Sequence, residues 1–132
     1  RQMMAGETEV ELIPQGTLIE QVRAGGFGLG GVLTKTGLGT EVAKGKQTVE
    51  VDGETYLLEK PLRANVALLF SEKADEKGNL TYRGATRNFN TYMGAAADIA
   101  IVETQEIVKV GDICPNEVVV PGVFVDHIVL GG

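Results

Sequence analysis

The sequence predicts an α/β or α+β domain whose sheet has a parallel component. Three observations carry that reading. Several short apolar runs are bounded by Gly and Pro, a few stretches of helical period lie between them, and "NVALLF" at 65–70 is continuously apolar, as buried parallel strands tend to be. The 132 residues suffice for one compact domain, read over 1–132, with no repeat, linker or low-complexity tract.

The elements follow in chain order. Residues 7–13, "ETEVELI", alternate Val10 and Leu12 with Glu9 and Glu11, a strand pattern that Pro14 ends. Thr17 and Glu20 have the spacing of a capping box, so a helix of about two turns is expected from Thr17. Leu18, Ile19 and Val22 form its apolar face, and Gly25 is its expected left-handed stop. Residues 48–51 and 55–58 flank Asp52-Gly53, a strong hairpin signal. After 65–70 comes the alternating "NLTYR" of 79–83, with Leu80 and Tyr82 on one face. Residues 88–97 suit a short helix capped by Asn88 or Asn90, with Tyr92, Met93 and Ala96 inward. A second apolar strand is expected at 99–102. Short strands at 106–110 and 118–120 are cut by Gly111 and Pro121, and "VFVDHIVL" at 123–130 is a last apolar run.

Bulk composition narrows the function. A net charge of −6 supplies no basic stripe, so nucleic acid is not an expected partner. No apolar run approaches the ~20 residues that cross a bilayer, and no membrane partner is expected. The single cysteine, Cys114, fits a reducing compartment and a cytoplasmic location, and reads as a small apolar filler. One cysteine and one histidine, His127, cannot form a metal cluster of the usual spacing. His127 reads as a packed or half-exposed structural residue of the last apolar run.

One short motif tempts and fails. Residues 26–31, "GFGLGG", satisfy the G-x-G-x-x-G of a dinucleotide-binding turn. That fingerprint needs its glycines after a strand and at the start of a helix, so that the helix N-terminus faces the pyrophosphate. Here they follow a helix, and the segment beyond them, with Gly37 and Gly39, does not favour a helix. A nicotinamide oxidoreductase is therefore disfavoured.

Two features remain for chemistry. Gln15, between Pro14 and Gly16, is expected at the carboxyl end of a strand and just before a helix, where open α/β sheets gather ligand groups. Its amide can donate to a carbonyl or carboxylate oxygen without adding charge; the alternative is an ordinary turn residue. Residues 25–31 form a glycine-rich loop that lets backbone N–H groups approach a ligand, or else a mobile surface loop. Together they describe a small-molecule site without a nucleophile.

Longer stretches carry a resemblance. "VELIPQGTLIEQVRAGGFGLGGVLTKTGLGT" at 10–40, "YLLEKPLRANVALLFSEKADEKGNLTYRGATRNFN" at 56–90, "AAADIAIVETQEIVKVG" and "VPGVFVDHIVLG" are collinear with one family. The chain resembles the A (alpha) subunit of class I CoA-transferases, the acetate/butyrate–acetoacetate and 3-oxoacid group. The resemblance implies an α/β fold with an open, mixed, largely parallel sheet and flanking helices. It implies transfer of CoA between a short-chain acyl-CoA and a carboxylic acid such as acetate, butyrate or acetoacetate. The CoA thioester is then a substrate, and no tightly bound cofactor is expected.

In that family the attacking glutamate lies in the B (beta) subunit, within an S-E-N-G-type motif that this sequence lacks. Glu103, Glu106 and Glu117 have none of its surroundings and are not assigned as nucleophile. By resemblance, Gln15 is the catalytic donor to the substrate oxygen, and Gly26, Phe27 and Gly28 line the acyl pocket. Asn88 and Asn90 of "RNFN" also match, as substrate-binding residues or as a helix cap. The "RQMMAGETEVEL" start corresponds to the middle of a typical alpha chain of the family. The expected partners are therefore the B subunit of the CoA-transferase and the remaining N-terminal part of the A subunit. The alternative is a non-catalytic structural or regulatory fragment of the same fold.

Overall fold

A computed structural model describes residues Arg1–Gly132. Helix α1 spans Gln15–Gly26, and the strands are β1 Val32–Thr34, β2 Thr48–Val51, β3 Glu54–Glu59, β4 Ala64–Asp75 and β5 Leu80–Thr81. The short helix α2, Asn90–Met93, then leads through a 3-10 turn into β6, Ala97–Val108, and the last strand is β7, His127–Leu130. Two sheets result. A small antiparallel one has the order β1-β3-β2, and a larger mixed one has the order β5-β4-β6-β7. In the larger sheet β4–β6 and β6–β7 are parallel and only β4–β5 is antiparallel. This is the α/β, largely parallel arrangement expected, with a separate antiparallel sheet beside it.

The hairpin forms for the local reason its dipeptide suggests. Asp52 (φ 52°) and Gly53 (φ 78°) both take positive φ, as a two-residue turn of the type that matches strand twist requires. The larger sheet encloses the core. Ala67 and Leu69 of β4, Leu80 of β5, Ala100 and Val102 of β6, and the flanking Tyr82 and Val120 are all buried together. Met93 of α2 and Phe124 of the second crossover pack onto that cluster.

Several expectations are corrected. Residues 7–13 are not a strand: Val10 and Leu12 remain 46% and 82% exposed, because no other strand of the chain pairs with them. Helix α1 starts before Thr17, with Pro14 as its unbonded cap, so Thr17 is buried inside the helix and no capping box forms. Glu20 instead accepts from Arg23 at 2.6 Å. Gly25 is helical, and the left-handed residue is Gly28 (φ 71°). Phe27 N–H donates to the Arg23 carbonyl and Leu29 N–H to that of Ala24, which closes the last turn.

Residues 106–108 continue β6 rather than form a strand of their own, since the pairing with β4 runs from Ala64↔Ala97 to Asp75↔Val108. Of 118–120 only Val120 makes a bridge, to Leu80. Residues 122–124 of the last apolar run form a 3-10 turn ahead of β7. The 65–70 strand is not buried throughout, because Leu68 is 71% exposed while Leu69 is 4% exposed. Cys114 is exposed rather than a core filler, and so is His127. No helix is long and apolar enough to cross a membrane.

Candidate functional site

Pro14 presets the entry to α1, with φ −54°, and leaves the first turn without a side-chain cap. The first intrahelical bond is Leu18 N–H to the Pro14 carbonyl at 2.9 Å, so the N–H groups of Gln15, Gly16 and Thr17 have no acceptor within the helix. No acidic residue occupies that turn. The helix therefore presents uncompensated donors and the positive end of its dipole.

Gln15 lies there, exposed, on the wall of a concavity of about 270 Å³ that it shares with Gly16, Ile19, Asn88 and Phe89. Two residues with neutral amide side chains, from distant parts of the sequence, thus share the wall of one concavity. None of the five lining residues carries a nucleophile or a titratable group.

Asn90 holds this wall from behind. Its Oδ1 accepts from the Phe70 N–H of β4 at 3.1 Å, and its Nδ2 donates to the Thr86 carbonyl at 2.8 Å. Asn88 Oδ1 accepts from the Asn90 N–H at 3.3 Å. Asn90 thus ties the turn bearing Asn88 to the sheet, and it does not line the concavity.

Gly26, Phe27 and Gly28 lie at the opposite end of α1, about 16 Å from Gln15 at the helical rise of 1.5 Å per residue. The chain does not bring them to Gln15. Each has a local role. A Cβ on Gly26 would come 2.8 Å from the Cβ of Ala95, so this glycine permits close packing. Phe27 meets Phe124 edge to face, with ring centroids 6.0 Å apart. Gly28 supplies the helix stop and faces open space. The glycines of 26–31 lead from a helix towards a strand, the reverse of the dinucleotide turn.

Gly16, Ile19 and Phe89 were not read from the sequence as site residues. Phe89 stands inside "RNFN", between the two asparagines, and that adjacency was its one signal. Phe89 also lines a neighbouring apolar groove of about 220 Å³ with Leu18, Val22, Leu62 and Met93.

Fold and geometry define an α/β protein with a concavity lined by two side-chain amides at a helix N-terminus. The chain belongs to the Coenzyme A transferase family, whose model matches residues 1–131. It is 54% identical over 130 residues to the alpha subunit of the acetate CoA-transferase of Escherichia coli K12, covering 98% of this chain and 59% of that relative. It is 50% identical over 129 residues to the alpha subunit of the acetoacetyl-CoA:acetate/butyrate CoA transferase of Clostridium acetobutylicum, again 98% of this chain and 59% of the relative. Among solved structures, glutaconate coenzyme A-transferase from Acidaminococcus fermentans shares the fold. Its TM-score is 0.86 at 21% identity, covering 98% of this chain and 48% of that one. The chain thus spans a little under three fifths of the length of the two relatives from Escherichia coli and Clostridium.

Proposed function

We propose that this chain is the C-terminal portion of the A subunit of a class I CoA-transferase, which moves CoA between a short-chain acyl-CoA and a carboxylate. The proposed reaction is ping-pong. A glutamate carboxylate from the B subunit first attacks the thioester carbonyl, and CoA leaves as thiolate, so that the acyl group is held on the glutamate as a mixed anhydride. The thiolate then attacks the glutamyl carbonyl and frees the first carboxylate. A second carboxylate repeats the steps in reverse. Each addition builds negative charge on a carbonyl oxygen, and rate depends on donors fixed where that charge develops.

The observation that carries the proposal is the position of Gln15: exposed at an uncapped helix N-terminus, in one concavity with Asn88. An amide donor there stabilises an oxyanion without competing as a base. The absence of any nucleophile from the concavity wall fits an attacking group supplied by the partner polypeptide. Acetate, butyrate and acetoacetate are the proposed acceptors. Because each methylene contributes only about 0.8 kcal/mol on burial, the choice among them rests on small differences in the pocket wall.

In the complete enzyme, with its two kinds of polypeptide at full length, Gln15→Ala is expected to lower kcat by about 10²-fold, the scale of one lost oxyanion donor. Unchanged kcat would favour the purely structural reading of this chain.

A further inference from the structure

Helix α1 is strapped to the segment that joins the two sheets. The Leu62 N–H donates to the Gln21 carbonyl at 2.9 Å, and the Arg63 guanidinium donates to the Gly25 carbonyl at 2.8 Å. A third tie runs through side chains. Gln21 Nε2 donates to Glu59 Oε2 at 3.2 Å, and Lys46 Nζ, from the loop between β1 and β2, donates to Glu59 Oε1 at 2.7 Å. Glu59 ends β3, where it pairs with Val32 of β1, and its side chain is only 3% exposed. One buried carboxylate thus joins α1, the small sheet and a loop. All three ties grip residues 21–25 of the helix, and none of them reaches the first turn with Gln15.

Stability alone does not account for the side-chain tie. A buried ion pair loses most of its Coulombic gain to desolvation, and apolar packing of similar volume often stabilises at least as well. Gln21 adds a further cost, because its Oε1 is buried with no hydrogen-bond partner. What such a link supplies is direction: hydrogen bonds of fixed geometry select one rotation and one height of the helix, whereas apolar side chains tolerate sliding.

We infer that Gln21 is a positioning residue: its bond to the buried, Lys46-paired Glu59 fixes the setting of α1 that puts Gln15 on the wall of the concavity it shares with Asn88. The rigid helix carries the constraint over the six residues from Gln21 to Gln15, about 9 Å along its axis. The catalytic consequence rests on the proposed role of Gln15 as oxyanion donor. A misplacement of about 1 Å can cost 10²-fold in rate, so a loosened setting matters more to the reaction than to the fold.

The test places Gln21→Met in the complete enzyme, in the parent and in the Gln15→Ala background. Methionine keeps the length and helix propensity of glutamine and removes the bond. In the parent background kcat is expected to fall about 10-fold with KM for the acyl-CoA within about 2-fold, and in the Gln15→Ala background kcat should change less than about 2-fold. Tm should stay within about 3 °C of the parent, because one bond to Glu59 and one orphan oxygen are given up together. Should Gln21→Met fail to fold, Gln21→Ala serves instead. Its vacated space opens on the concavity of about 410 Å³ beside Lys46 and Lys60, where water can solvate Glu59.

A second readout needs no turnover. Nitroxide labels on Gln15→Cys and Asn88→Cys, with other thiols replaced, report the spacing of the two positions by dipolar broadening. Gln21→Met is expected to widen that distribution of distances. An unchanged distribution would overturn the inference. So would an equal loss of kcat in both backgrounds, or a lowered Tm with kcat unchanged, since Gln21 would then act elsewhere or on stability alone. If Gln15→Ala itself left kcat unchanged, the acyl-site reading would fall, and the label distances would still decide whether Gln21 sets the helix.

Discussion

Tyr82 is the most exacting single residue of the core. Its side chain is buried against the sheet, and its hydroxyl has no hydrogen-bond partner in the protein. Burial pushes the phenol up to about 12. An unfolded chain releases that proton near its ordinary value of about 10, so above that pH the native state holds the extra proton and stability falls as pH rises. Below pH 10 the contribution is fully present. Tyr82→Phe removes both the orphan hydroxyl and the titration. It is expected to raise stability by about 1 kcal/mol at pH 7, with a margin that widens between pH 10 and 12, measured by urea unfolding. A Phe variant less stable than the parent at pH 7 would show that the hydroxyl is satisfied. Asp75 works in the opposite sense. Burial alone would raise its carboxyl, but the Asn79 side chain and the Asn79 and Lys77 N–H groups outweigh it, so the carboxyl lies below the ordinary range. Its contribution is present above the unfolded value and is lost as pH falls through the lowered one.

At the scale of elements, α1 packs closely at one end, and in the proposed function it serves chemistry at the other. A Cβ on Gly25 would come 2.0 Å from the Leu62 carbonyl oxygen, whereas one on Gly16 meets nothing within 4 Å. Gly25→Ala is therefore expected to destabilise by about 2 kcal/mol or more, through forced displacement of the helix end. Gly16→Ala should be neutral or stabilising by up to about 1 kcal/mol. Equal Tm changes for the two variants would contradict this division. What could be read from sequence follows the same line between local and distant causes. The Asp52-Gly53 turn was legible because its conformation depends on two residues. Gly25 has a purpose that only the tertiary structure reveals: the Leu62 carbonyl, 37 positions beyond it, lies where a Cβ would stand, so this glycine allows close packing inside the helix and the left-handed stop falls at Gly28. Strand β6 was read as two pieces because Glu103 and Gln105 interrupt its apolar run, yet both are exposed along a continuous pairing with β4. Gln15 stands out by its place between Pro14 and Gly16, but its sharing of one concavity with Asn88, 73 positions away, is a product of tertiary structure.

The whole molecule is a half-clad sheet with an amide-lined concavity at one end of its main helix. Membership of the Coenzyme A transferase family and a length well short of the two relatives described fit a chain that completes its site in company. In that proposal the walls and the oxyanion donor belong to this chain, and the attacking carboxylate belongs to another. The most direct measurement is to incubate the complete enzyme with an acyl-CoA, reduce the enzyme-bound thioester with borohydride, and map the modified peptide. The account predicts one reduced glutamate in the beta partner and none in this chain. A modified Glu103, Glu106 or Glu117 would contradict it.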